Sequence, residues 1–159
     1  MATEAGTIAA KVEKLAREAL AQIDGLPEEV LNEKLPLPET NSLYALATHL
    51  VGAGEFWTVT VVGGRDIPRD REAEFTATGT LAALRERYER WLAMLHDDLD
   101  GLRDAEMERV VTLVGPVRAW MAGDQLTVRE SLLHALEHMA LHLGHIQLTR
   151  QLLLDKTPE

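Results

Sequence analysis

The chain has 159 residues, a formal net charge of −10 and no cysteine. That length suits one domain, 1–159, with a substantial core, and the acidic balance argues against a nucleic-acid surface, which would need clustered Lys and Arg. Without cysteine there can be no disulfide, thiolate zinc site, iron–sulfur cluster or Cys nucleophile, so any metal must sit on His, Asp, Glu, backbone or water.

The N-terminus MATEAGTIAAKVEKL lacks a basic region followed by an apolar one, so no signal peptide is expected. No apolar run approaches the roughly 18–20 residues of a membrane span. The expectation is a cytoplasmic protein that handles small molecules.

The first segment carries Ile8, Val12, Leu15, Ala19, Ile23 and Leu26 at three- and four-residue steps. That spacing predicts an amphipathic helix ending near Asp24-Gly25, with Pro27 beyond. A short link rich in Pro and acids follows. Asn41-Ser42 can cap a second helix from about Leu43 to Val62, apolar around most of its circumference and stopped by Gly63-Gly64. Residues 65–79, RDIPRDREAEFTATG, read as a charged loop. Thr80 then caps a third helix with Leu81, Leu84, Tyr88, Trp91, Leu95 and Leu99 as its stripe, ended by Asp100-Gly101.

Residues 109–126 differ. Val110, Val111, Leu113, Val114, Val117 and Trp120 surround a Gly115-Pro116 turn signal, which suits a short β-hairpin or an irregular loop. Thr127-Val128-Arg129-Glu130 is a capping box that opens the longest helix, about 127–154. Four helices of this length with one core stripe each imply an all-α four-helix bundle whose long third connection can hold the hairpin.

Four of the six histidines, His134, His138, His142 and His145, fall on that last helix at i, i+4, i+8 and i+11. At about 100° per residue they share one face, with His138 and His142 about 40° apart and one turn removed. Two imidazoles so placed can hold one metal ion from a single helix. Four neutral imidazoles crowded together without metal or water would leave several nitrogens unpaired, which is costly when buried. His134 and His145 flank the central pair on a surface expected to be half exposed.

A third ligand must come from elsewhere. His96, near a helix end and followed by Asp97-Asp98, reads as a solvated histidine that suits the helix dipole. His49, in the apolar second helix beside Leu46, Ala53 and Phe56, is the better candidate. It lies about 120° from the Leu43/Leu50/Gly54/Trp57 stripe and so on a flank of the core. The alternative for His49 is a core histidine bonded to a backbone carbonyl.

Two other metal motifs fall away. His134-Ala-Leu-Glu-His138 matches the string of inverted zinc peptidases, but only 21 residues follow His138 to supply their downstream ligand. The H-E-x-x-H pattern is excluded because position 139 is Met139. A di-iron bundle would need Glu-x-x-His pairs, and neither Glu130 nor Glu137 has a His three residues on.

Thr48-His49-Leu50, with Glu55-Phe56-Trp57 six to eight residues on, and then the His134, His138, His142-Leu143-Gly144-His145-Ile146 pattern, resembles the DinB-like superfamily. That group includes the damage-inducible DinB-like proteins, YfiT-like metal-dependent hydrolases, thiol-dependent S-transferases and maleylpyruvate isomerases. The resemblance runs nearly the length of the chain. It implies a four-helix bundle, a divalent metal on His49, His138 and His142, and often a homodimer. The family usually has Gln after the last Gly, where this chain has His145, which could act as an outer hydrogen-bond donor, a fourth ligand or an acid–base group.

Three neutral histidines and an open position describe a catalytic metal site, with zinc, or nickel given the all-nitrogen shell. Such a site would activate water or a low-molecular-weight thiol, with His145 or His134 relaying protons. Glu137 points about 100° away from His138 and is not assigned as a base. Arg150 is a weaker candidate for a substrate carboxylate. The reading is a transferase or hydrolase; the competing class is a non-catalytic metal-binding stress-response bundle, and a third is a structural dimer whose stripe stays metal-free.

Overall fold

The computed structural model describes residues 3–113 and 123–155. Four long helices form the bundle. Helix α1 spans Glu4–Ile23 and is capped by Thr3, whose side chain accepts from the Gly6 amide. It buries Ala5, Ile8, Ala9, Val12, Ala16, Ala19 and Ile23, so the stripe read from sequence is right in period, with alanines thickening it. A one-turn helix, α2 (Glu28–Asn32), sits in the Pro- and acid-rich link, where no helix was expected.

Helix α3 spans Leu43–Gly54, capped by Ser42, and continues as π-helical turns through Glu55–Val62. The wider turn has a local cause. Thr58 Oγ1 donates to the Gly54 carbonyl at 2.7 Å and accepts from Trp91 Nε1 at 3.1 Å, both inside the core. Trp91 lies so close to the helix that a Cβ on Gly54 would overlap its ring. Only glycine allows that approach. By length and composition this 43–62 helix could cross a membrane, contrary to the expectation that no run qualifies, but 89% of the tested stretch is buried inside the protein. It is the central core helix.

Helix α5 (Leu81–Leu99) is capped by Thr80 and buries Leu84, Tyr88, Trp91, Leu92, Leu95 and Leu99. A 3-10 turn (Asp104–Glu108) leads into strand β1 (Val110–Thr112), paired antiparallel with β2 (Gln125–Thr127) in the register Val111↔Leu126. The hairpin expected near residues 109–126 is therefore present at its base. Its Gly115-Pro116 turn, with Val114, Val117 and Trp120, lies outside the described residues. Helix α6 spans Val128–Leu154, and both bonds of the Thr127/Glu130 capping box form. It packs along α1 and α3, while Ser131 Oγ reaches the Trp57 carbonyl.

The segment 65–79 is a strap across α3, held at both ends. At one end Arg65 bonds both carboxylate oxygens of Asp98 on α5. At the other, Asn32 of α2 exchanges two hydrogen bonds with the Gly79 backbone, at 2.8 and 2.9 Å. Between them lies a single helical turn, α4 (Arg71–Glu74), capped by Asp70.

Candidate metal centre

His49 leaves α3 on the flank covered by the strap, and is only 3% exposed. Its ring stacks against Phe75 at a centroid distance of 4.5 Å. It also meets the rings of His138 at 5.1 Å and His142 at 4.7 Å, which stand one turn apart on α6. One nitrogen from each of His49, His138 and His142 lies within 4.8 Å of the others, a group that could hold a metal ion. Zinc–imidazole bonds are about 2.0–2.1 Å, so two ligands of one ion stand at most about 4.2 Å apart. The group, at up to 4.8 Å, is slightly wider than that limit.

The electrostatics suit neutral ligands. Burial, with the nearby His142, His49 and His134 adding to it, pushes His138 down to about 3. Burial also lowers His142, to about 4, assisted by His49, His145 and Arg71. Both rings therefore keep free nitrogen lone pairs at neutral pH. The buried Nδ1 of His138 has no hydrogen-bond partner, and a buried polar atom left this way costs about 1–3 kcal/mol. A divalent cation suits such an all-imidazole set.

The other stripe residues stand to the sides. His134 packs edge-on against Trp57 at 4.4 Å, with its ring 6.1 Å from that of His138, and burial lowers its pKa. His145 is exposed, with its Nδ1 3.4 Å from Nδ1 of His142. Arg150 lines a separate cleft with Leu148, Gln151, Leu152, Leu154 and Asp155, and none of the three histidines borders it.

Among the described residues, His49 bonds a carboxylate and not the backbone carbonyl that the core-histidine alternative required. Its Nδ1 lies 2.7 Å from Oε2 of Glu74, which is itself buried at 4% exposure. Arg69 grips the same carboxylate through Nε at 2.6 Å and Nη2 at 2.9 Å. Burial raises the Glu74 carboxyl, but the bonds from His49 and Arg69 outweigh it and leave the pKa below the usual carboxylate value. Neither Arg69 nor Glu74 stood out in the sequence. The only signal was a buried-looking Phe75 among charges in a stretch read as loop.

The model of the DinB superfamily matches residues 11–146. The chain belongs to the DinB superfamily. No curated protein matches it. Among solved structures, a conserved protein from Enterococcus faecalis superposes with a TM-score of 0.72 at 13% identity, covering 98% of this chain and 100% of that one. At that identity the likeness concerns the fold alone.

Proposed function

We propose that this DinB-superfamily chain is a metal-dependent enzyme, a transferase or hydrolase, with His49, His138 and His142 as the ligands of one divalent ion, zinc or nickel. The observation that carries the reading is the convergence of three ligand-capable nitrogens within 4.8 Å, two of them on rings that burial keeps neutral. Three nitrogen ligands and an open position are the pattern of catalytic rather than structural sites. When bound, such an ion lowers the pKa of water or of a low-molecular-weight thiol, so that a nucleophile is available near neutral pH.

The surrounding residues divide the remaining work. His145, exposed beside His142, can accept a proton from the nucleophile and pass it to solvent. His134 and Trp57 form a wall at the other end of the stripe, fitted to exclude water from one side of a small substrate. Leu133, Leu141, Leu148 and Leu152 are all roughly half exposed on α6. An apolar surface of that kind supports a homodimer. A cytoplasmic location, with no nucleic-acid or membrane partner, completes the proposal.

Metal analysis of the purified protein beside His138→Ala tests the site. Retained stoichiometric zinc or nickel in the wild type, absent from the variant, is the expected result; a wild type with no metal and no thermal shift on adding either ion would end the assignment. A screen of thiol conjugation to small electrophiles, with and without chelator, then tests catalysis. Turnover insensitive to chelation would remove the mechanism, and bound metal without any turnover would favour the non-catalytic binding bundle.

A further inference from the structure

The strap residues Arg69 and Glu74 are linked to His49 through its Nδ1, and nothing in the metal reading uses them. We infer that Glu74 is the positioning residue of the site, that Arg69 holds Glu74 in place, and that Gly52 is glycine because the carboxylate occupies the space its side chain would fill. The inference rests on the three-histidine reading and deepens it.

The argument starts from the protons. An ionised carboxylate can only accept hydrogen bonds. With Glu74 Oε2 2.7 Å from Nδ1 of His49, the ring must carry its proton on Nδ1 and donate it. Nε2 is then left with its lone pair free. A neutral imidazole exposed to water divides its proton between the two nitrogens, whereas this one is held in the ligating tautomer before any ion arrives. Carboxylate–histidine pairs behind a metal also fix the ring's rotation and raise its basicity.

The carboxylate needs a holder of its own, and the strap provides it. Arg69 binds both oxygens of Glu74 in the paired geometry that guanidinium and carboxylate favour. Its guanidinium also lies over the Phe56 ring at 5.6 Å, which anchors the strap to the π-helical part of α3. Arg69 and Glu74 side chains are 7% and 4% exposed. A buried pair of this kind requires both partners, since removing one leaves an uncompensated charge.

Gly52 links this arrangement back to the sequence. It lies on α3 one turn from His49, and a Cβ built there would overlap Oε1 of Glu74 and stand 2.9 Å from its Cδ. Glycine in a helix interior normally costs about 1 kcal/mol relative to alanine. Its presence at this point is explained by the carboxylate pressed against the helix.

Gly52→Ala therefore expels the carboxylate without altering any charge or any histidine. The experiment compares wild type, Gly52→Ala, Glu74→Ala and Glu74→Gln by two readouts. Nitrogen-15 NMR of metal-free protein reports the His49 tautomer, and competition with a chelator gives zinc and nickel affinity. Thermal melts confirm folding.

The wild type should show one His49 tautomer, protonated on Nδ1. Gly52→Ala and Glu74→Ala should show a mixture, with metal affinity lower by about 10–100-fold. Glu74→Gln keeps an acceptor oxygen and should fall between. Folded Gly52→Ala protein that retains the single tautomer and wild-type affinity would overturn the inference, and this variant decides the matter if Glu74→Ala does not fold. A wild type that binds no metal yet shows the single tautomer, lost in Gly52→Ala, would remove the metal reading while leaving the positioning role intact.

Discussion

Two histidine sites in this protein sit at opposite electrostatic extremes. His96 on α5 is one-third exposed and lies between two acids, with Nδ1 3.0 Å from Asp100 and Nε2 2.8 Å from Glu13 of α1. The hydrogen bond His96 donates to Asp100 raises its pKa, burial opposes that, and Glu13 adds to the rise. Among the described residues no acid pairs with His138 or His142 in this way; burial, with neighbouring imidazoles adding to it, pushes them to about 3 and about 4. The same side chain is drawn toward its protonated form in one place and held as a neutral donor of lone pairs in the other. What differs is whether a carboxylate or another imidazole stands nearest, and how much water remains. The carboxylate of Glu74 at the centre bonds His49 and is itself neutralised by Arg69.

That contrast can be broken, and the largest effect should come from the buried ion pair. Arg69→Ala leaves Glu74 charged inside the protein with only the His49 hydrogen bond and no guanidinium, and should cost about 3–5 kcal/mol in a denaturant titration. Arg17→Ala, which removes an exposed pair with Glu13 and Glu89 at the other site, should cost at most about 1 kcal/mol. Equal losses would mean that burial does not separate the two regions.

The next effect concerns the metal. His138→Ala should weaken zinc or nickel binding by on the order of a hundredfold or more, since each ligand carries several kcal/mol of such a site. His96→Gln should leave affinity unchanged. A chelator competition assay on both variants checks it, and an effect of His96→Gln would show that the sites are coupled.

The pH dependence of stability sharpens the comparison, because the signs are opposite. In metal-stripped protein, His138 and His142 have folded-state pKa values below the unfolded value of about 6.5. Their neutral burial is fully compatible with folding above about pH 6.5, and stability is lost as pH falls from there toward about 4 and then about 3. His96 is raised, so its contribution is present below about pH 6.5 and is lost as pH rises through its folded value. Melting curves should therefore fall on the acid side, with His138→Ala flattening that limb. The smallest effect is His96→Gln, at most about 1 kcal/mol; it should remove only the decline that sets in as pH rises above about 6.5.

The long helices were readable because each carries its own signals. Ser42, Thr80 and Thr127 accept from amides three residues on, where the caps were expected. The buried residues of α5 follow the stripe read from sequence, with Leu81 only partly buried and Leu92 added. The histidines of α6 were readable for the same reason, since 3.6 residues per turn alone places His138 and His142 on one face. The strap was not. Residues 65–79 have no apolar period, and α4 is four residues long, too short to show one. His49, read from sequence as lying on a flank of the core, is covered because Glu74 and Phe75, 25 and 26 residues later, fold back over it.

By itself the sequence determined the period, caps and ends of the bundle helices and the pairing of His138 with His142, because those depend on residues within a few turns of one another. Only the tertiary structure decided that His49 faces that pair, that Glu74 and Arg69 are linked to it through its Nδ1, and that Gly52 and Gly54 lie beneath other side chains. Those contacts join segments distant in the chain. They exist because the bundle must bury α3 on every side, and a flank left open by helices alone was closed by the strap.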